Sequence, residues 1–250
     1  MLTSRNSDKH WERYGRSDPY FGVLSDDKYK LSNLTAASLE DFFSSGERHL
    51  EEVLQTIRTH LLPGFAPTRA LDFGCGVGRV LIPLSKCAEE VVGIDVSDSM
   101  LKEAKKNAEA QGAGNIEFAR AITEVPAERE FDFIHSYIVF QHIPVRRGER
   151  IFQTLVDRLA AGGVGAFHFT YHACAMARLG HWTLRNVPFM CNLYNMLAGR
   201  DMTYPIMQSN FYDVNRLLLI LRSKQCPCVY MEATLHNRNQ GLMLYFQRCR

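Results

Sequence analysis

The stretch Ala70-Leu71-Asp72-Phe73-Gly74-Cys75-Gly76-Val77-Gly78-Arg79-Val80 decides how this chain is read. A short apolar run enters three glycines at alternate positions and leaves into a helical pattern. Glycine has no Cβ, so the backbone can turn tightly and a ligand can lie against it. Nineteen residues after Gly76, a second apolar run, Val91-Val92-Gly93-Ile94, ends on Asp95. An acid at the tip of a neighbouring strand can accept hydrogen bonds from two ribose hydroxyls. Together these features predict a crevice for a nucleoside.

The glycine spacing narrows the choice. A dinucleotide fold uses Gly-x-Gly-x-x-Gly, in which the third glycine lets the helix approach the strand and the helix start holds a pyrophosphate. Here Arg79 occupies that third position and Gly78 comes one residue early. Asp72 is also badly placed for a pyrophosphate and suits a ligand carrying an ammonium group. The pattern, with Val91-Val92-Gly93-Ile94-Asp95-Val96-Ser97-Asp98-Ser99-Met100, Phe131-Asp132-Phe133-Ile134 and Phe140-Gln141-His142-Ile143-Pro144, resembles the S-adenosylmethionine (SAM) site of class I methyltransferases, particularly their small-molecule branch. The resemblance covers residues 69–169 well and the C-terminal hairpin more loosely.

That resemblance implies roles for individual residues. Backbone groups of Phe73, Gly74 and Gly76, in a loop completed by Cys75 and Gly78, would line the methionine part of SAM. Asp72 would help hold its ammonium, and Asp95 would take both ribose hydroxyls. Val96 and Met100 would flank the adenine. Ser136 and Tyr137, at the tip of the fourth strand, would face the cofactor near the acceptor. The chain departs from the family after the third strand. Many relatives carry Gly-Asp there, with the acid near the adenine amine. This chain reads Arg120-Ala121-Ile122-Thr123-Glu124, with Ile122 nearest that place, so backbone groups would read the adenine edge.

The rest of the chain fits an α/β protein. Ser44-x-x-Glu47 reads as a capping box, and Leu50, Val53, Leu54, Ile57 and Leu61 follow with helical spacing up to Pro63-Gly64. Strands are expected over 69–73, 91–94, 116–118, 131–135 and 164–169. They alternate with helices from about Arg79 (with Pro83 tolerable only in a first turn), from Ser97 to Gly112, and from Pro144 to Gly162-Gly163. After residue 208, Ser209 or Asn210 should cap a helix through 217–221. Strands over 229–235 and 242–247 then form an antiparallel hairpin. The pattern predicts a doubly wound, mostly parallel seven-stranded sheet with helices on both faces, for which the family resemblance implies the order 3-2-1-4-5-7-6. Residues 1–45 form an N-terminal lid or edge segment. Residues 46–250 form the SAM-binding domain, with 170–208 as an insertion beyond the fifth strand.

Composition excludes several classes. With 250 residues, 46% of them hydrophobic, and a formal charge of +2, nothing calls for nucleic acid or an anionic membrane. No run approaches the roughly 18 apolar residues of a membrane span, and the first residues show no apolar signal region. The seven cysteines, odd in number and scattered, suit reduced thiols and a cytoplasmic protein. Cys226-Pro-Cys228 lacks a second pair, and His168 and His172 fall at a strand end, so no metal site is expected.

Methyl transfer from SAM is an in-line displacement in which the protein aligns the reactants. Trp11, Tyr14, Phe21 and Tyr137 are candidate aromatic walls for the cationic sulfur. His142 is the candidate base, because it follows the fourth strand and imidazole titrates near neutral pH, with His168, Tyr171 and His172 as weaker candidates. The insertion, with Tyr171, His172, His181, Trp182, Arg185, Phe189, Tyr194, Arg200 and Tyr204, is expected to form the pocket for a small, moderately polar, cyclic or sugar-like acceptor. The same aromatics also suit core or homodimer contacts. Methylation of protein or nucleic acid is disfavoured, because the fourth strand leads into His135-Ser136-Tyr137-Ile138 rather than an Asn-Pro-Pro-Tyr-type motif and there is no basic tract; two other readings compete. One is a SAM-binding protein that has lost transfer and serves as a subunit or regulator. The other is an NAD-dependent oxidoreductase, which the glycine spacing disfavours.

Overall fold

In the computed structural model, which describes residues 7–173, 183, 190–197, 204, 207–236 and 239–249, the apolar runs become strands. These are β1 (Arg69–Phe73), β2 (Glu90–Ile94), β3 (Ile116–Ala119), β4 (Phe131–Ser136), β5 (Leu159–Ala173), β6 (Cys228–His236) and β7 (Asn239–Gln247). They form one sheet in the order β3-β2-β1-β4-β5-β7-β6. The first five strands are mutually parallel, and β7 runs antiparallel between β5 and β6. This is the expected architecture.

Alternation along each strand builds two cores, because successive side chains leave a strand on opposite faces. Leu71, Ile134, Phe167 and Phe169 meet α6 (Val145–Asp157) and α8 (Val214–Ser223) on one face. Ala70, Phe133 and Ala166 meet α3 (Ala36–His60), α4 (Leu81–Ser85) and Leu101 of α5 (Asp98–Ala110) on the other. A third cluster ties α1 (Ser7–Ser17) and α2 (Pro19–Val23) to the body, where Tyr14, Tyr20, Tyr29 and Phe42 surround Val77 and Met100. One further helix, α7 (Met190–Leu197), lies within the stretch after β5.

Several boundaries differ from expectation. The helix read from Ser44 starts at Ala36, where Thr35 and Ser38 form a reciprocal capping box. Ser44 and Glu47 lie inside it, and the helix runs unbroken through residue 46. α4 is little more than one turn, with Pro83 as its third residue. α6 ends at Asp157 rather than at Gly162-Gly163, because Leu159 already pairs with Phe131 and the glycines fall where the β4–β5 register shifts. Asp213, not Ser209 or Asn210, caps α8 by accepting from the Asn215 amide. Asn210 instead donates both its backbone N–H and its side-chain amide to the Gln141 carbonyl.

Helix α3 crosses the glycine loop at Gly46. A Cβ there would stand 1.9 Å from the Arg79 carbonyl oxygen. On an exposed helix, Gly→Ala stabilises by up to about 1 kcal/mol. At this crossing, overpacking of about 1–3 kcal/mol has the opposite sign and is larger. Gly46→Ala should therefore lower the melting midpoint by several degrees, at roughly 2–4 °C per kcal/mol for this size. A raised midpoint in a thermal scan would contradict the close crossing.

Candidate active site

The strand order reverses between β1 and β4, and open α/β sheets bind ligands beyond the strand ends at such a switch point. A cavity of about 1130 Å3 opens there. Pockets for one drug-sized ligand run to roughly 300–1,000 Å3, so this one is slightly larger than the upper end of that range.

The glycine loop forms its floor. Gly74, Gly76 and Gly78 all adopt positive φ, which only glycine does without strain. Gly74 and Gly76 line the cavity, together with Phe73. Cys75 and Gly78 face inward, Cys75 beside Gly93 and Gly78 against Ile82. The Asp95 carboxylate sits at the end of β2 with one oxygen accepting from Gly76 N at 3.0 Å and the other from Ser97 N at 2.9 Å. Burial raises its pKa to about 6 against the pull of those two amides. Val96, Met100 and Ile122 complete this end of the wall.

Asp72 is placed differently from the family-based expectation. It sits behind the floor, 3% exposed and absent from the cavity wall. Its Oδ1 accepts from His135 Nδ1 at 2.8 Å, while Oδ2 has no hydrogen bond among the described residues. Ser136 is also behind the wall, donating to the Phe73 carbonyl at 2.9 Å, whereas Tyr137 is on it. Ile138 follows Tyr137 at φ 58°. That is a left-handed conformation costing a β-branched residue about 1–3 kcal/mol. The strained turn lies on the cavity wall.

His142 lines the cavity but is fully committed. Thr170 donates to Gln141 Oε1 at 2.8 Å, which turns the Gln141 amide nitrogen toward His142 Nε2 at 3.0 Å. His142 Nδ1 lies 2.6 Å from the Gln208 carbonyl, so it carries the proton and Nε2 accepts. Burial lowers the ring's pKa to about 4, against the Gln208 bond. The ring is therefore neutral near pH 7, but its lone pair already holds the Gln141 amide, which leaves it poorly placed as the base.

The N-terminal segment roofs the cavity with Trp11, Val23, Leu24 and Tyr29. Trp11 meets the His142 ring edge-on at 4.8 Å between centroids. Tyr14 lies one layer deeper, in the cluster around Met100. Phe21 is off the wall, with the Lys30 ammonium over its ring. Glu12 holds α1 down. Its carboxylate accepts from the Ser97 and Ser99 hydroxyls and the Ser99 amide, all at the N-terminus of α5. Burial pushes Glu12 up, but these bonds and Arg16 outweigh it and hold the pKa at about 2.

The expected acceptor residues fare unevenly. Tyr171 (38% exposed) and His172 project to solvent, away from the cavity. Tyr204 contacts Tyr14 edge-on and sits behind the wall. His181, Trp182, Arg185, Phe189 and Arg200, and the side chain of Tyr194, lie outside the described residues. In their place Met207, Ser209, Leu235, His236 and Asn239 reach the wall. The hairpin residues carry no motif. Only their position after a strand end could have marked them.

A polar cluster lies on the α3 face beside this end. Asp72, His135 and His168 share that face with Ala70, Phe133 and Ala166 by strand alternation. His49 of α3 reaches His135 Nε2 at 3.1 Å and stacks on Tyr137, 3.9 Å between centroids. Arg79 is buried, donates to Ser45, and has no carboxylate partner among the described residues; its Nε is unpaired. Burial, then the neighbouring charges, lowers His49, and burial lowers His168 to about 3.

A family profile for the methyltransferase domain matches residues 70–163, the segment that runs from the glycine loop through β4 to the start of β5. Residues 70–163 thus match the methyltransferase domain family. The whole fold is similar to the N-methyltransferase NodS of Bradyrhizobium japonicum WM9, solved with S-adenosyl-L-homocysteine (SAH). The TM-score is 0.61 at 15% identity, covering 98% of this chain and 100% of that one. It is equally similar to magnesium protoporphyrin IX methyltransferase (ChlM) of Synechocystis PCC 6803, also with SAH, at TM-score 0.61 and 17% identity over 97% of this chain and 100% of that one. In sequence, the methyltransferase domain is similar to the 23S rRNA uracil-C5 methyltransferase RlmD of Burkholderia pseudomallei. The two are 31% identical over 125 residues, 49% of this chain and 27% of that protein. The chain thus spans about a quarter of the length of the curated relatives it matches.

His49, His142 and His168 are neutral when folded and take a proton more readily when unfolded, near the ordinary 6.5. The unfolded state therefore binds more protons below 6.5, and stability is lost on acidification by about 1.4 kcal/mol per pH unit for each ring. Asp95, with its raised pKa, opposes this only below about 6. The melting midpoint at pH 5.5 should lie roughly 5 °C or more below that at pH 7.5, and equal midpoints would refute the buried neutral rings. Separately, Glu12→Ala should speed amide exchange in α1 at least about tenfold, since hydrogen bonds to a charged group each contribute about 1.5–3 kcal/mol before solvent screening. Unchanged exchange would show that the roof is held by its aromatic contacts alone.

Proposed function

We propose that this chain is a SAM-dependent methyltransferase acting in the cytoplasm, which carries a methyl group to an oxygen or nitrogen of a small molecule of secondary or saccharide-related metabolism. The observation that carries the reading is the bonding of Asp95. An ionised carboxylate has about four acceptor sites. Gly76 and Ser97 take two, one on each oxygen. Two remain on a residue that lines the cavity, a number that matches the two hydroxyls of a ribose.

When bound, SAM supplies an electrophilic methyl on a sulfonium. Asp95 would hold its sugar, with Val96 and Met100 lining the same end of the cavity. Gly74 and Gly76, which line the cavity, would present bare backbone to the amino-acid tail. Trp11 and Tyr137 offer aromatic faces to the cationic end, each contributing about 0.5–2 kcal/mol. Holding both reactants in line can lower the barrier by about 7–11 kcal/mol in the best cases, and α1 and α2, as a lid, keep water out of the gap. The roofed cavity favours a small acceptor over RNA, although RlmD acts on rRNA. No helix among the described residues is long and apolar enough to cross a membrane.

Calorimetry with SAM, SAH and NADH tests the reading. SAM and SAH should bind and NADH should not. At 100 times the dissociation constant, either should stabilise the fold by about 2.7 kcal/mol. Asp95→Ala should weaken SAH at least about 100-fold, because two hydrogen bonds to a charged acceptor are lost. The ligand needs the ionised carboxylate, so acidification through the raised pKa of about 6 should weaken binding, with Kd at pH 5 about tenfold that at pH 8. Folded protein that gives no heat with SAM or SAH would end the proposal.

A further inference from the structure

The cavity has two chemically distinct ends. Asp95 on β2 marks one. The sheet order places β6 at the far side, beyond β1, β4, β5 and β7. His236, the last residue of β6, lines the wall there, and so does Tyr137 from the end of β4. The Tyr137 hydroxyl lies 3.2 Å from His236 Nε2. A neutral phenol can donate to Nε2, which puts the His236 proton on Nδ1; this is the tautomer that lets Nε2 receive a proton from the tyrosine. The tyrosine ring is fixed around that bond. His49 stacks on it, Arg79 lies 5.8 Å from its centroid, and His168 meets it edge-on at 5.4 Å.

On the methyltransferase reading above, we propose that Tyr137 and His236 form a dyad that takes the proton from the acceptor as the methyl is transferred. The acceptor's oxygen or nitrogen gives its proton to Tyr137 Oη while the Tyr137 proton passes to His236 Nε2. The lone pair so released forms the bond to the methyl carbon. The sulfur–carbon bond breaks and its electron pair stays on sulfur, leaving a neutral thioether and an imidazolium that returns its proton to water.

Other histidines are less suited to the task. His142 Nε2 is held by Gln141, and His49 and His168 lie behind the wall. His236 is lowered from its ordinary pKa by burial and is neutral near pH 7, ready to accept. The groups facing the dyad are His49 and Glu52 from α3, Arg79 from the glycine loop and His168 from β5. Burial raises the Tyr137 pKa, Arg79 lowers it and Glu52 adds to the rise. Arg79 thus steadies any phenolate character in passing.

The test uses tritiated SAM and a panel of phenols, alcohols and primary amines as probe acceptors, from pH 5 to 10. Tyr137→Phe and His236→Gln should each lower kcat at least about 100-fold, within the range of general-base catalysis, with SAH affinity within threefold of wild type. The double variant should lose little more than the worse single one. At SAM concentrations that saturate the site at every pH, wild-type kcat should fall on acidification below neutral pH, and His236→Gln should lack that limb. Either single variant within threefold of wild type overturns the dyad while leaving the SAM reading intact. If no probe accepts the methyl, nitrogen NMR of His236 in SAH-loaded protein decides. The Nδ1–H tautomer supports the proposal, and the Nε2–H tautomer overturns it. Wild-type protein that does not bind SAH removes the parent reading, and the dyad with it.

Discussion

Three short hydrogen bonds cross one gap, and the site depends on them. Gly74 N and Cys75 N donate to the Ile94 carbonyl at 2.7 and 3.0 Å, and Gly76 N donates to Asp95 at 3.0 Å. They staple the turn after β1 to the tip of β2. Buried backbone N–H groups must find partners, and the positive φ of the glycines aims these three the same way. A side chain at Gly74 would meet Val139 at 2.2 Å, and one at Gly76 would meet Val23 at 2.6 Å. The loop is therefore confined from two sides, by the strained turn after β4 and by the N-terminal roof. Its shape follows from sterics as much as from ligand chemistry.

The roof and the sugar end share one electrostatic feature. Asp95 and Glu12 both gather around the first turn of α5, accepting from Ser97 and Ser99. Amides there are unpaired within the helix and carry partial positive charge. Two carboxylates can sit together because the helix end compensates both, although Glu12 still raises Asp95. Closing α1 over the cavity thus makes Asp95 harder to ionise, and hydroxyl donors from a bound sugar would offset that cost. The roof and the anchor are energetically coupled through one helix end.

What could be read in the sequence was what short-range rules determine. Strand alternation, the Ser97 cap and the glycine turn each depend on a few consecutive residues, and the sheet order followed from strands alternating with helices plus a family resemblance. Misplaced boundaries arose where a long-range contact overrode a local signal. Ser44 and Glu47 form a plausible cap, but Phe42 is needed in the core around Tyr20 and Tyr29, so the helix begins earlier. Gly162-Gly163 looks like a helix stop, but the pairing of Leu159 with Phe131 claims that segment for the sheet. The wall residues of β6 and β7 had no signal at all, because their place depends on how far an antiparallel hairpin reaches. His142 was found by proximity to a strand end, yet its hydrogen bonds, which decide its chemistry, come from residues 28 and 66 positions away through Gln141 and Gln208.

The charge balance around the floor supplies a reason for the buried Arg79. Asp72 and Asp95 are two buried carboxylates that repel each other, and Arg79 is one cation within reach of Asp72. The histidines add nothing while neutral. With both acids ionised, Asp72, Asp95 and Arg79 together carry one net negative charge. On the proposed reading, SAM carries one net positive charge, from its sulfonium and ammonium against its carboxylate, and the thioether product carries none. Transfer of the methyl removes only the charge that balanced the second acid. In a low-dielectric site that lost pairing is costly, so on the proposed reading these charges would favour SAM over its product.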